Sequence, residues 1–211
     1  MVDESKAFKA FSALIKEVDR IAIFIDGHST QNAARTLSWR IDWALFRAFF
    51  LDLARVRKIG FYLAVKEPIL SDDEKIPSVW WRSIVDWMSY NGFYTKIARA
   101  FDCKMTEDGK PAIKTTIDLN VCIDAMALIG EVDHIILFSG NSDFIPLIET
   151  LQSKGIVVTV VSNSPQLIDG LELEREPNGS HPYQASKGLI KTADMFVELD
   201  VMRDEISSDK S

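Results

Sequence analysis

Short apolar runs bounded by turn residues alternate along this chain with longer segments whose apolar positions recur every three or four residues. The short runs read as strands and the periodic segments as helices, so the pattern predicts βαβ units around a largely parallel sheet. Ile21 to Ile25 has no polar interruption, as expected of a strand buried on both faces. Lys58 to Val65, Phe93 to Ala98 and Ile135 to Phe138 predict three further strands, and Ile156 to Val161, almost wholly β-branched, another. Asp42 is placed to cap a helix from Trp43 to Val56 with the stripe Leu45, Phe46, Phe49, Leu53 and Val56. Val79 to Tyr90 predicts a helix carrying Trp80, Trp81, Trp87 and Met88, stopped by Asn91-Gly92. Two more helices are expected from Asp118 to Ile129 and from Asp143 to Lys154, the second stopped by Gly155. Glu107-Asp-Gly-Lys-Pro111 signals a turn within Phe101 to Lys114, so a short β excursion belongs there. Lys187 to Asp194 and Met195 to Leu199 predict a last helix and strand.

These elements compose one α/β domain over residues 21–199, with helices on both sides of a mainly parallel central sheet. An amphipathic helix over residues 1–20, with Phe8, Phe11, Ile15 and Val18 near helical spacing, precedes it. Residues 170–187 are acidic and then rich in Pro, Gly and Ser, and read as a mobile insertion; residues 200–211 read as a polar tail.

Composition narrows the function. With 211 residues, 47% of them hydrophobic, the chain can bury a substantial core. A net charge of −7 and a pI near 5.0 argue against non-specific nucleic-acid binding through a broad basic surface. Only a local rim of Arg55, Arg57 and Lys58 with Lys96, Arg99 and Lys104 could meet phosphates. Cys103 and Cys122 match neither a disulfide scaffold nor a zinc site, which suits a reducing compartment. No apolar run approaches the roughly 18 residues that span a membrane, and the charged first twenty residues are unlike a signal peptide, so a cytoplasmic location is expected. Self-association stays open.

Three aspartates stand at element ends: Asp26 closes the first apolar run, Asp118 opens a helix, and Asp143 follows Ser139-Gly-Asn-Ser142. Each has an ordinary explanation as a turn or capping acid. In an open parallel sheet, however, the carboxyl ends of the strands face one crevice, where acids distant in sequence can converge. Asp124, six residues after Asp118, sits about 120° away around the helix, so a supporting or packing role is as reasonable for it. If Asp26, Asp118 and Asp143 meet, their oxygen-only ligands point to Mg²⁺ or Mn²⁺ over Zn²⁺. Such an ion activates water for attack on a phosphodiester. His28 could contact a phosphate, Ser29, Thr30 and Asn32 offer hydrogen bonds at the same rim, and Lys114, Ser139, Asn141 and Ser142 are candidates to support the acids or touch substrate. The tryptophans at 80, 81 and 87 read as packing before stacking.

Several segments together resemble the NYN domain family, in its LabA-like branch: Phe24-Ile-Asp26-Gly, Ile117-Asp118 with Asp124 downstream, and Leu137-Phe-Ser-Gly-Asn-Ser-Asp143-Phe-Ile-Pro-Leu with Gly155-Ile-Val-Val-Thr-Val. Leu189-Ile-Lys-Thr-Ala-Asp194-Met-Phe-Val-Glu-Leu adds to the likeness, which spans about Ile21 to Leu199. The resemblance implies a PIN-like α/β/α fold and a metal-dependent ribonuclease, with Asp26, Asp118 and Asp143 as metal-binding acids and Ser139 and Asn141 lining the site. The family usually carries aspartate where this chain has Asn141, so one carboxylate is missing. The expected function is therefore an RNA-cleaving hydrolase, with a regulatory or interaction protein of the same fold and little or no turnover as the alternative. A phosphatase or nucleotide-binding enzyme is disfavoured by the lack of a glycine-rich phosphate loop.

Overall fold

The computed structural model describes residues 4–17, 20–65, 80–105, 111–170 and 183–208, with backbone alone for 4–8, 80, 81, 99, 101–105 and 111–114. At its centre, β1 (Ile21–Asp26) lies between parallel neighbours β2 (Val56–Val65) and β5 (His134–Phe138). Adding β3 (Tyr94–Met105), β4 (Pro111–Thr115), β6 (Val157–Ser162) and β7 (Met195–Glu198) gives a sheet of order β4-β3-β2-β1-β5-β6-β7. Six strands are parallel, and β4 alone runs antiparallel, against the end of β3. The β excursion expected within 101–114 is thus a continuation of β3 and its return through β4.

Side-chain alternation in β1 divides the core into two layers. Ile21, Ile23 and Ile25 join α1 (Glu4–Glu17), α2 (Gly27–Thr36), α3 (Trp43–Leu53) and α4 (Trp80–Tyr90) on one face. Ala22 and Phe24 join α5 (Ile117–Met126), α6 (Ile145–Ser153) and α8 (Lys187–Thr192) on the other. The short α7 (Pro165–Gly170) follows β6. Asp42 caps α3 as expected, its Oδ1 accepting from Ala44 N at 2.9 Å and Leu45 N at 3.1 Å. The buried stripe of α3 differs from expectation: Trp43, Phe46 and Phe50 face the sheet, while Leu45 is exposed. Aromatic packing selects that side, with Trp43 against Phe61 at 5.3 Å and Phe46 against Phe138 at 5.1 Å between ring centroids.

Two boundary expectations need correction. The supposed polar tail continues as a 3₁₀ turn, Leu199–Met202, and α9 (Arg203–Ile206). Met202 and Ile206 are fully buried there, and Asp42 N donates to Ile206 O at 2.8 Å. Few apolar side chains suffice when they fall on one side of a short helix. Of the supposed mobile insertion, residues 171–182 lie outside the described residues, but Tyr183 to Ser186 form a strap laid on the strand ends. Ala185 N donates to Asn163 O at 2.8 Å and Ser186 N to Gly140 O at 3.2 Å. In the N-terminal helix, Phe11 and Ile15 are fully buried; Phe8 and Val18 lie outside the described side chains. Trp87 is partly exposed beside Phe93, and the side chains of Trp80 and Trp81 are likewise outside those described. Among the described residues, no helix is long and apolar enough to cross a membrane.

Candidate functional site

Connections from adjacent β1 and β5 leave toward opposite faces of the sheet, so a crevice opens at their carboxyl ends. A cavity of about 950 Å³ occupies it, with Asp26, Asp118, Ser29, Asn141, Tyr183 and Lys187 among its lining residues. Asp26 ends β1 and caps α2 at once: its Oδ1 accepts from Ser29 N at 3.2 Å. Its Oδ2 accepts from Ser139 Oγ at 3.1 Å, so a hydroxyl just past β5 holds the acid of β1. Thr30 Oγ1 reaches both strand ends, 2.7 Å from Asp26 O and 3.1 Å from Phe138 O. Burial pushes the Asp26 carboxyl above its ordinary pKa, against the hydrogen bonds of Ser29 and Ser139 and the charge of His28.

Asp118 reaches the same cavity from the first turn of α5. Its side-chain partner is Asn141 Nδ2, a long 3.4 Å away. Burial first, then repulsion from Asp26 and Asp143, pushes its carboxyl up to about 6. Among the described residues, neither Asp26 nor Asp118 is paired with a lysine or arginine.

The other sequence candidates divide. Asp143 lies exposed in a 3₁₀ turn, Ser142–Phe144; its charge reaches Asp118, but it is not among the cavity's lining residues. Asn141 caps that turn, Oδ1 accepting from Asp143 N at 3.0 Å, which leaves Nδ2 toward Asp118. Ser29 and Ser139 are buried, and His28 and Ser142 are exposed at the cavity. Asn32 is half-buried on α2 and is absent from the lining. Lys114 lies on β4, and its side chain is outside those described.

Asp124 belongs to another assembly. It accepts from Tyr62 Oη at 2.9 Å and Lys96 Nζ at 3.0 Å, with Lys58 Nζ at 3.6 Å. Burial raises its pKa, but the hydrogen bonds of Lys96 and Tyr62 and both lysine charges outweigh that and leave it below the ordinary value. Arg57 likewise pairs with Glu131 at 3.0 Å, so three members of the expected basic rim, Arg57, Lys58 and Lys96, are engaged in ion pairs away from the cavity, while the side chains of Arg99 and Lys104 lie outside those described. Tyr183 and Lys187, which the sequence reading assigned to the insertion, line the cavity instead. Residues distant in sequence, Thr36 and Asn163, set the place of Tyr183, so no local pattern marks it.

Among the described residues, no three His, Cys, Asp or Glu side chains group so as to hold an ion. The donors present are two carboxylates with neutral hydroxyls. That set fits Mg²⁺ or Mn²⁺, which keep much of their water and often use one or two carboxylates, and does not fit zinc.

Six parallel strands flanked by helices form a three-layer, PIN-like α/β/α fold. The NYN domain family profile matches residues 20–200, and the chain belongs to that family, in its LabA-like form. The low amplitude and bright protein LabA of Synechococcus elongatus is 27% identical over 145 residues, 68% of this chain and 73% of that protein. A crystal structure of a Vibrio parahaemolyticus protein of unknown function shares the fold with a TM-score of 0.58 at 23% identity, covering 90% of this chain and 96% of that one.

Proposed function

We propose that this NYN domain is a divalent-metal-dependent ribonuclease that hydrolyses RNA phosphodiesters with water as the nucleophile. The observation that carries the reading is the pair Asp26 and Asp118, facing one cavity with no lysine or arginine partner among the described residues. Mutual repulsion at such a pair is relieved by a cation, and its oxygen donors suit Mg²⁺ or Mn²⁺. Asp26 and Asp118 would hold the ion, with Asp143 adding negative charge from outside the cavity lining. The ion would polarise the phosphoryl group and acidify its bound water. Ser139 and the Ser29 N–H orient Asp26, while Asn141, fixed by the Asp143 N–H, orients Asp118. His28 and Lys187, exposed at the cavity, are positioned to meet the phosphate backbone. The test is cleavage of single-stranded RNA with Mn²⁺, its arrest by chelator, and its loss in Asp26→Asn and Asp118→Asn. Cleavage that survives both substitutions overturns the assignment.

A second reading is a binding protein without turnover. The lack, among the described residues, of a three-acid ion site favours it. It requires RNA to be bound and left intact under the same conditions.

A further inference from the structure

We propose that Tyr183 is a positioning residue of this site, acting through a row of hydroxyls that sets the Asp26 carboxylate; the inference rests on the metal-dependent reading above. The backbone of Tyr183 is fixed from two sides. Its N–H donates to Thr36 Oγ1 at 3.0 Å, at the end of α2, and its carbonyl accepts from Asn163 Nδ2 at 3.2 Å, just past β6. Asn163 is fully buried and also donates to Ala33 O at 2.9 Å, so the anchor is part of the core. Gly140 lets the strap lie close on the strand end. A Cβ there would stand 3.0 Å from Ala185 Cα and 3.1 Å from the Tyr183 ring.

The phenol enters the cavity and hydrogen-bonds to Ser29 Oγ. Ser29 Oγ accepts from Gly140 N at 3.0 Å and stands 3.4 Å from Ser139 Oγ. Ser139 Oγ accepts from Asn141 N at 3.2 Å and donates to Asp26 Oδ2 at 3.1 Å. An ionised carboxylate only accepts, so the Ser139 proton is committed to Asp26 and Ser139 can only accept from its other neighbours. Both serine oxygens therefore stand in a frame of backbone N–H groups, closed at the cavity end by the phenol. Phenylalanine would fill the same space but would not hold Ser29. The hydroxyl of Tyr183 thus serves the acid through the two intervening serines, in the manner of groups that orient metal ligands from behind.

Tyr183→Phe in the full chain tests this, since it keeps the ring and removes one oxygen. Loss of one hydrogen bond should lower Tm by no more than about 8 °C. Calorimetry with MnCl₂ alone should show affinity weakened about 10- to 100-fold. The kcat for RNA should fall by a similar factor, with KM unchanged to within about twofold. Ser29→Ala should reproduce the loss, and the double variant should add little to it, as expected for links in one chain. Mn²⁺ affinity and kcat equal to wild type in Tyr183→Phe overturn the proposal. If the wild-type protein neither binds Mn²⁺ nor cuts RNA, the functional reading fails on its own account. The Asp26 carboxyl-carbon and Ser29 amide shifts, compared by NMR at a single neutral pH between wild type and Tyr183→Phe, then decide the positioning claim. Displaced shifts support the claim, and superimposable ones overturn it.

Discussion

Asp118 and Asp124 stand six residues apart on one helix and meet opposite surroundings. Asp124 has Tyr62, Lys96 and Lys58 around it and a lowered pKa. Asp118 has one long contact to Asn141, two acids for neighbours and a pKa near 6. The difference follows from helix geometry: about 120° of rotation sends Asp124 against Tyr62 of β2 and Lys96 of β3 and leaves Asp118 in the crevice at the strand ends. A fold that supplies two lysines to one acid leaves the other with no lysine or arginine partner among the described residues. The first acid holds the structure together; the second carries unrelieved repulsion, as functional sites often do.

The largest effect should separate the two in catalysis. Asp118→Asn, or Asp26→Asn, should reduce RNA cleavage by at least about 100-fold, whereas Asp124→Asn in protein that remains folded should stay within about threefold. Asp143→Asn should fall between them, near tenfold, because its charge is felt at Asp118 but it does not line the cavity. Steady-state kinetics on one RNA ranks all four.

Stability should move in opposite directions. Asp124→Asn leaves Lys58 and Lys96 facing each other without their carboxylate and should cost about 2 kcal/mol in urea unfolding. Asp118→Asn removes a repelled, half-buried charge and should stabilise by about 1 kcal/mol at pH 7 after allowance for solvent screening. An Asp118→Asn protein less stable than wild type would break the comparison.

The smallest signature is in pH. A carboxyl whose pKa is raised on folding binds its proton more tightly in the folded state, so the Asp118 penalty is absent below about pH 4 and grows as pH rises to about 6. Asp124, lowered on folding, contributes stability that is present above about pH 4 and lost as pH falls further. Unfolding free energies of wild type minus each variant, measured across pH without divalent ions, should therefore step in separate windows with opposite slopes.

How much of this could be read from the chain depended on whether one local pattern decided the outcome. β1, β5 and β6 were legible because unbroken β-branched and aromatic runs have few alternatives, and Asp42 because a capping acid acts within three residues. The α3 stripe was misjudged because that helix is apolar on most sides, and only Phe61 and Phe138 across the interface choose among them. On α5, Leu119, Ile123 and Met126 are exposed while Val121 and Ala125 are buried, a choice its composition does not reveal. Asp26 and Asp118 were legible as strand-end acids, and the rotation between Asp118 and Asp124 followed from spacing. Tyr183 was not legible, since its place depends on Thr36, Gly140 and Asn163, residues distant in sequence.

Titration with MnCl₂ by calorimetry, on wild type, Asp118→Asn and Asp124→Asn side by side, tests most directly whether Asp26 and Asp118 form the cation site. Saturable binding in wild type and Asp124→Asn, lost in Asp118→Asn, is the predicted result. Equal binding in wild type and Asp118→Asn, or none in wild type at millimolar Mn²⁺, would contradict it.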